Sequence, residues 1–211
     1  MDLHDLVKFT LSLFAIVDPV GIIPVFLAST SGFSETQRRA AAWVAAVTVF
    51  GVLSLFALAG TALLDFFGVR LASFSVGGGF LLLLLAISMA QARISPIRQT
   101  PEEAEEALEK EAVGAVPLGV PLLAGPGAIT HVIVSSGSGP HQWLQHVSLL
   151  PSILLVAFTV WLSFRLSPVI ARRLGTTGIH VVTRLMGLII AAISVEMIAR
   201  GLTQLFPGLL G

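Results

Sequence analysis

The chain has 211 residues, of which 55% are hydrophobic and only 11% charged, with a formal net charge of zero and no cysteine. A soluble domain carries about 25% charged residues, so this composition, with a mean hydropathy of +0.93, places the chain in a membrane. Lack of cysteine excludes disulfides, iron–sulfur clusters and thiolate metal sites. Without a basic patch interleaved with aromatics, nucleic acid is not an expected partner.

A membrane crossing needs roughly 20 mostly apolar residues. In chain order the candidates are Leu6–Ser29, Ala40–Leu64, Leu71–Gln91, Ala115–Ser136, Val147–Ala171 and Ile179–Phe206. Asp2 and Asp5 make the front end acidic, unlike the basic start of a cleaved signal, so the first run is expected to stay as the first span. The longest polar connection, between spans three and four, contains Pro101 followed by an acidic, helix-favouring run to Glu111. It reads as a solvated linker helix. The expected organisation is therefore a first three-span repeat over 1–95, a cytoplasmic linker over 96–113 and a second repeat over 114–211.

Spans one and four are each interrupted. The first carries Asp18-Pro19-Val20-Gly21, the second Ala124-Gly125-Pro126-Gly127, 107 positions later. In lipid, a broken helix persists only where its freed backbone groups are buried in protein or line a cavity. Paired breaks in corresponding positions of two halves point to a transporter's midplane binding site. The repeat extends further: Gly78-Gly79-Phe80 in span three is matched by Gly187-Leu188-Ile189 in span six. Gly77, Gly78 and Gly79 are expected to let helices approach closely.

Lys8, Arg70 and Arg200 fall on one side of this arrangement, and Arg38, Arg39, Arg93, Arg98, Lys110, Arg165, Arg172, Arg173 and Arg184 on the other. The richer side should face the cytoplasm, which puts both termini outside. Three spans per half is an odd number, so the halves insert with opposite orientation. The fold expected is an all-α polytopic membrane protein with six transmembrane helices as two inverted three-helix repeats, spans one and four discontinuous.

Asp is a preferred N-cap and Pro a favoured first helical residue, so Asp18-Pro19 is expected to start one half-helix and Gly125-Pro126 the other. Their N-termini would meet at the midplane with unsatisfied N–H groups and partial positive charge, a receptor for a carboxylate. The expected substrate site is the backbone of Pro19, Val20, Gly21 and Ile22 facing that of Gly125, Pro126, Gly127, Ala128, Ile129 and Thr130. Asp18, a carboxylate at mid-span, would take a substrate ammonium, a coupling Na⁺ or a proton; its plainer reading is a helix cap.

Three further polar residues are candidates. His131 on the second half-helix reads either as a polar contact at the site or as a satisfied structural histidine. Glu196 reads as a relay carboxylate or as half of an ion pair with Arg200 at i,i+4 spacing. Arg184, at the start of span six, reads as a snorkelling anchor before it reads as a ligand.

Asp18-Pro19-Val20-Gly21-Ile22-Ile23-Pro24-Val25-Phe26 resembles the first-span motif of the MarC family of membrane proteins. Leu123-Ala124-Gly125-Pro126-Gly127-Ala128-Ile129-Thr130 resembles its fourth-span motif, and Arg184-Leu185-Met186-Gly187-Leu188-Ile189 its sixth-span signature. The resemblance covers nearly the whole chain. It implies a plasma (inner) membrane protein of bacteria or archaea, related to transporters of small neutral amino acids such as glycine and alanine. The chain departs from the family at Ile22, where members often carry Asn. It departs again at Glu196 and Arg200, where Gln and Asn are usual; an acid and a base there fit a compensated pair.

The function expected is secondary transport of a small solute by alternating access, with no cofactor beyond a coupling Na⁺ or proton. The expected partners are the solute and the lipid bilayer, and an oligomer is compatible with the sequence. The rivals are a passive pore and an intramembrane serine hydrolase. The latter would rest on Ser138, between Gly137 and Gly139 in a loop, with no histidine placed to activate it. No Gly-x-x-x-x-Gly-Lys-[Ser/Thr] motif is present to bind ATP, and no catalytic residue is expected.

Overall fold

A computed structural model describes residues 3–30, 32–91, 123–137 and 142–210. The proposed linker over 96–113 and Ser138 lie outside these. The described residues form seven α-helices and no strand: α1 (Leu3–Val17), α2 (Ile23–Ser29), α3 (Glu35–Phe66), α4 (Leu71–Ala90), α5 (Pro126–Ser136), α6 (Gln142–Arg165) and α7 (Ser167–Leu205), then a 3₁₀ turn over Pro207–Leu210.

Four helical stretches are long and apolar enough to cross a bilayer: Glu35–Phe66, Leu71–Ala90, His146–Arg165 and Ser167–Leu205. Only 22% of the apolar window of α7 is buried. Its outward residues Leu185, Leu188, Ile189 and Val195 are nevertheless apolar and exposed. A helix apolar on its outer side as well as its inner side fits a lipid surround, not water. The same holds for Leu55 and Leu63 on α3, Phe80 and Leu84 on α4, and Leu154 and Phe158 on α6.

Helix ends follow local chemistry. Ser34 opens α3 with a capping box: its hydroxyl accepts from Gln37 N–H at 3.3 Å, and the Gln37 side chain accepts from Ser34 N–H at 2.8 Å. Gly68, at φ 66°, turns the chain after α3. The expected fifth span runs too far: α6 stops at Arg165, not Ala171. The next helix begins at Ser167 with Pro168 in its first turn. It is then bent at Gly175, φ 62°, before the apolar run that starts at Ile179.

The helices pack in reciprocal pairs. α4 lies along α7 and α3 along α6, while α1 touches α6 and α7 and α5 touches α3 and α4. Glycine makes the α4–α7 contact close. A Cβ at Gly79 would meet Ile198 and the Ser194 carbonyl; one at Gly187 would come within 3.0 Å of the Ala86 carbonyl; one at Gly201 would meet Val76 and the Ala72 carbonyl. Gly78 instead faces Thr130 of α5, and Gly77 faces open space. The expected close approach therefore belongs to Gly78 and Gly79. On the other side, Phe26 of α2 stacks on Phe164 of α6 at 4.2 Å, and Thr10 of α1 donates to Ser152 of α6 at 2.8 Å.

Candidate functional site

The first break begins where α1 makes its last turn, the Asp18 N–H donating to the Phe14 carbonyl at 2.9 Å. A residue before proline is kept out of the right-handed helix. Asp18 takes a left-handed conformation, φ 44°, which Asp tolerates better than most residues. Its Oδ1 then accepts from Gly21 N–H at 3.1 Å, closing a turn over Pro19–Ile22. The half-helix α2 starts only at Ile23, with Ile22 as an N-cap that brings no side-chain bond. This corrects the expectation that Asp18 caps the half-helix with Pro19 at its first position. Pro24 holds the early helical position, and Asp18 caps the turn. Asp18 and Pro19 are buried. Gly21 has no room for a Cβ, because the Asp18 carboxylate and Thr183 Oγ1 of α7 occupy that side.

The second break follows the expected pattern. Gly125 is the N-cap of α5, extended at φ −66° and ψ 174°, with Pro126 at the first helical position and no side-chain cap. Gly127 and Ala128 are buried in the first turn. Thr130 is also buried, but its hydroxyl donates to the Pro126 carbonyl at 2.8 Å, and its methyl faces Gly78.

One turn beyond Gly127, His131 is 8% exposed and stacks on Phe9 of α1, ring centroids 5.4 Å apart and 9° from parallel. Among the described residues neither ring nitrogen has a hydrogen-bond partner.

His131 lies on a cavity of about 860 Å³. The cavity opens at the end of the bundle where α1 and α4 start and α5 and α7 finish. α1 contributes Asp5, Lys8, Phe9 and Ser12, α4 Leu71 and Ser75, α5 His131, Val134 and Ser135, and α7 the stretch from Ala192 to Gln204. The Ser75 hydroxyl is engaged, donating to the Met197 carbonyl at 3.0 Å. At the mouth, Arg200 Nε donates to Glu196 Oε1 at 2.6 Å, both side chains mostly exposed. The compensated pair expected from the i,i+4 spacing is thus formed.

The cavity brings together His131, Glu196 and Arg200. Its lining does not include Asp18, Pro19, Val20, Gly21, Ile22, Gly125, Pro126, Gly127, Ala128, Ile129 or Thr130. Arg184 is exposed and also outside it. Sequence reading overlooked Phe9, Ser12, Ser75, Ser135 and Thr183. The α1 group carried a signal: Asp5, Lys8, Phe9 and Ser12 recur at three- and four-residue intervals and so share one helix face.

Broken and unbroken apolar helices with an apolar exterior define a polytopic integral membrane protein. The model of the MarC family of integral membrane proteins matches residues 3–206. The chain is 39% identical to the UPF0056 membrane protein YhcE of Escherichia coli K12, over 96% of its own length and 94% of the relative's. It is 34% identical to YvbG of Bacillus subtilis, covering 96% of each chain. It is also 34% identical to MJ1677 of Methanocaldococcus jannaschii, covering 96% of this chain and 98% of that one. The protein belongs to the MarC family. No solved structure matches it.

Proposed function

We propose that this protein is a secondary transporter of small neutral amino acids, such as glycine or alanine, in the plasma membrane. The observation that carries the reading is His131. It is a buried imidazole with two unpartnered nitrogens, on a helix that starts inside the bundle, at the end of a cavity open to one side. A polar solute arriving through the cavity would meet both nitrogens as hydrogen-bonding groups.

The α5 N-terminus lies five residues deeper than His131, about 8 Å along the helix. There the first-turn amides of Gly127 and Ala128 would receive a carboxylate, and Asp18 at the other break would take the ammonium or a coupling Na⁺ or proton. The cavity, which stops short of both breaks, would be the access path of one of the two states that alternating access requires.

The packing supports an inverted repeat. α1 with α2 and the α5 segment would complete two further crossings, giving six. Exchanging the halves maps the α1 contacts with α6 and α7 onto the α5 contacts with α3 and α4. In both directions the α4–α7 contact is made by a glycine, Gly79 against Ile198 and Gly187 against Met89. With the arginine-rich side in the cytoplasm, both termini and the cavity mouth would be outside.

The test is uptake of labelled alanine and glycine into liposomes holding the purified protein, under a Na⁺ or a proton gradient imposed in turn. Saturable, gradient-driven uptake supports the reading. Flux that neither saturates nor responds to a gradient assigns a pore instead. No uptake by folded protein overturns the amino-acid assignment.

A further inference from the structure

At the end of the bundle opposite the termini, where α3 starts and α6 gives way to α7, a second cavity of about 310 Å³ is lined by Glu35, Arg38, Arg39, Phe164, Arg165 and Pro168. Three guanidinium groups meet one carboxylate there. Glu35 is engaged by Arg39 in an i,i+4 ion pair. Arg38 donates through Nη2 to the Thr30 carbonyl at 3.2 Å, while its Nε is buried with no hydrogen-bond partner among the described residues. The Arg165 guanidinium lies over the Trp161 ring, 5.4 Å from its centroid. Among the described residues neither Arg38 nor Arg165 has a carboxylate partner. Arginine stays protonated in proteins, so both charges at this cavity lack a carboxylate partner among the described residues.

We infer that this cavity binds the phosphate headgroup of an anionic phospholipid. The guanidinium fork matches phosphate oxygens two at a time, and the orphaned Arg38 Nε is a donor already placed for one of them. Basic cavities between membrane helices at the interface suit anionic headgroups. The level is that of the headgroups, since α3 begins and α6 ends at the cavity, and Trp161 and Trp43 are residues of the kind that anchor at that depth.

The surroundings select a lipid over free phosphate. Leu162, Leu166 and Val169 flank Arg165 and Pro168 and are exposed. Trp43 and Val47, also exposed, follow Arg39 at four-residue intervals and so share its face of α3. An anion held by the arginines therefore has apolar surface beside it on two helices, where acyl chains would lie. This site is independent of the transport reading and stands or falls without it.

The experiment is native mass spectrometry of the full chain in detergent, titrated separately with phosphatidylglycerol, phosphatidylcholine and inorganic phosphate. Phosphatidylglycerol is expected to be retained at least tenfold more than phosphatidylcholine, and millimolar phosphate to displace it poorly. Arg38→Gln and Arg165→Gln should each remove most of that preference. Arg165→Lys, which keeps the charge, should lose less, and Arg172→Gln, outside the cavity, should change nothing. Equal retention of both lipids overturns the inference, as does a preference that survives Arg38→Gln and Arg165→Gln together. Phosphate binding at the arginines with no lipid preference assigns the cavity to a free anion and overturns the lipid.

Discussion

At the first break a carboxylate turns back on its own backbone; at the second a glycine caps the helix and brings no side chain at all. Asp18 gives its Oδ1 to Gly21 N–H, with Thr183 closing the other side of Gly21. Gly125 caps the first turn of α5 with no side-chain bond of its own, and six residues on, His131 is open to a cavity. Two interruptions that look alike as Pro-Gly punctuation are therefore unlike in what they leave available. At the first, Asp18 Oδ1 is engaged by the neighbouring backbone. The second keeps polar groups in reserve, which is where a solute could bind.

The strongest way to break this contrast is to displace the second half-helix. In Gly78→Val the added carbons would occupy the space of the Thr130 methyl, between backbones that cannot both stay in place. Overpacking of this kind costs typically 1–3 kcal/mol, and here about 3 kcal/mol is expected. The thermal unfolding midpoint of the purified protein should fall steeply, or monodisperse protein should be lost. An unchanged midpoint would mean that the α4–α5 contact does not hold the second break.

The first break should respond to the acceptor, not to the charge. Asp18→Ala removes the bond to Gly21 and puts a Cβ residue with no local acceptor into the left-handed region, for a loss of about 2 kcal/mol. Asp18→Asn keeps an acceptor and a tolerated conformation, so it should stay within about 0.5 kcal/mol. If both substitutions lower the midpoint equally, the carboxylate charge is what the first break needs. In the uptake assay, loss of gradient-driven transport in a stable Asp18→Asn would assign that charge to coupling or substrate.

His131→Phe sharpens the other half of the contrast. The ring can still stack on Phe9, while both nitrogens are gone. Uptake should fall at least tenfold, about 1.4 kcal/mol, with the unfolding midpoint unchanged or raised because an unpaired buried polar group has been removed. Full uptake by this variant would remove His131 from the solute path. The smallest effect is expected for Gly77→Ala, the neighbour of Gly78, since nothing lies within 4 Å of a Cβ there. The midpoint should move by less than about 0.5 kcal/mol, slightly upward given alanine's helix preference.

Much of this architecture was readable in advance. Long apolar runs mark membrane helices because lipid leaves a backbone few other choices. Proline marks the breaks because it lacks a donor and constrains the residue before it. The glycine match between spans three and six located the closest helix pair, since only the smallest residue admits backbone at that distance. Two features were misread. Asp18-Pro19 carried a sound N-cap signature, but the same aspartate had a nearer donor in Gly21 N–H, and the left-handed turn prevailed. The end of the fifth span was placed too late because Leu166, Val169 and Ile170 continue the apolar run past the turn that follows Arg165.

By itself the sequence determined that the chain resides in a membrane, where its apolar runs are interrupted and which residues share a helix face, because these depend on composition and on contacts a few residues apart. The tertiary structure decided which polar groups find partners and which are left open. It joined α1, α4, α5 and α7 around His131, joined α3, α6 and α7 around Arg38 and Arg165, and walled the Asp18 turn with Thr183. Those contacts link residues up to some 160 positions apart, and only packing in three dimensions sets such distances.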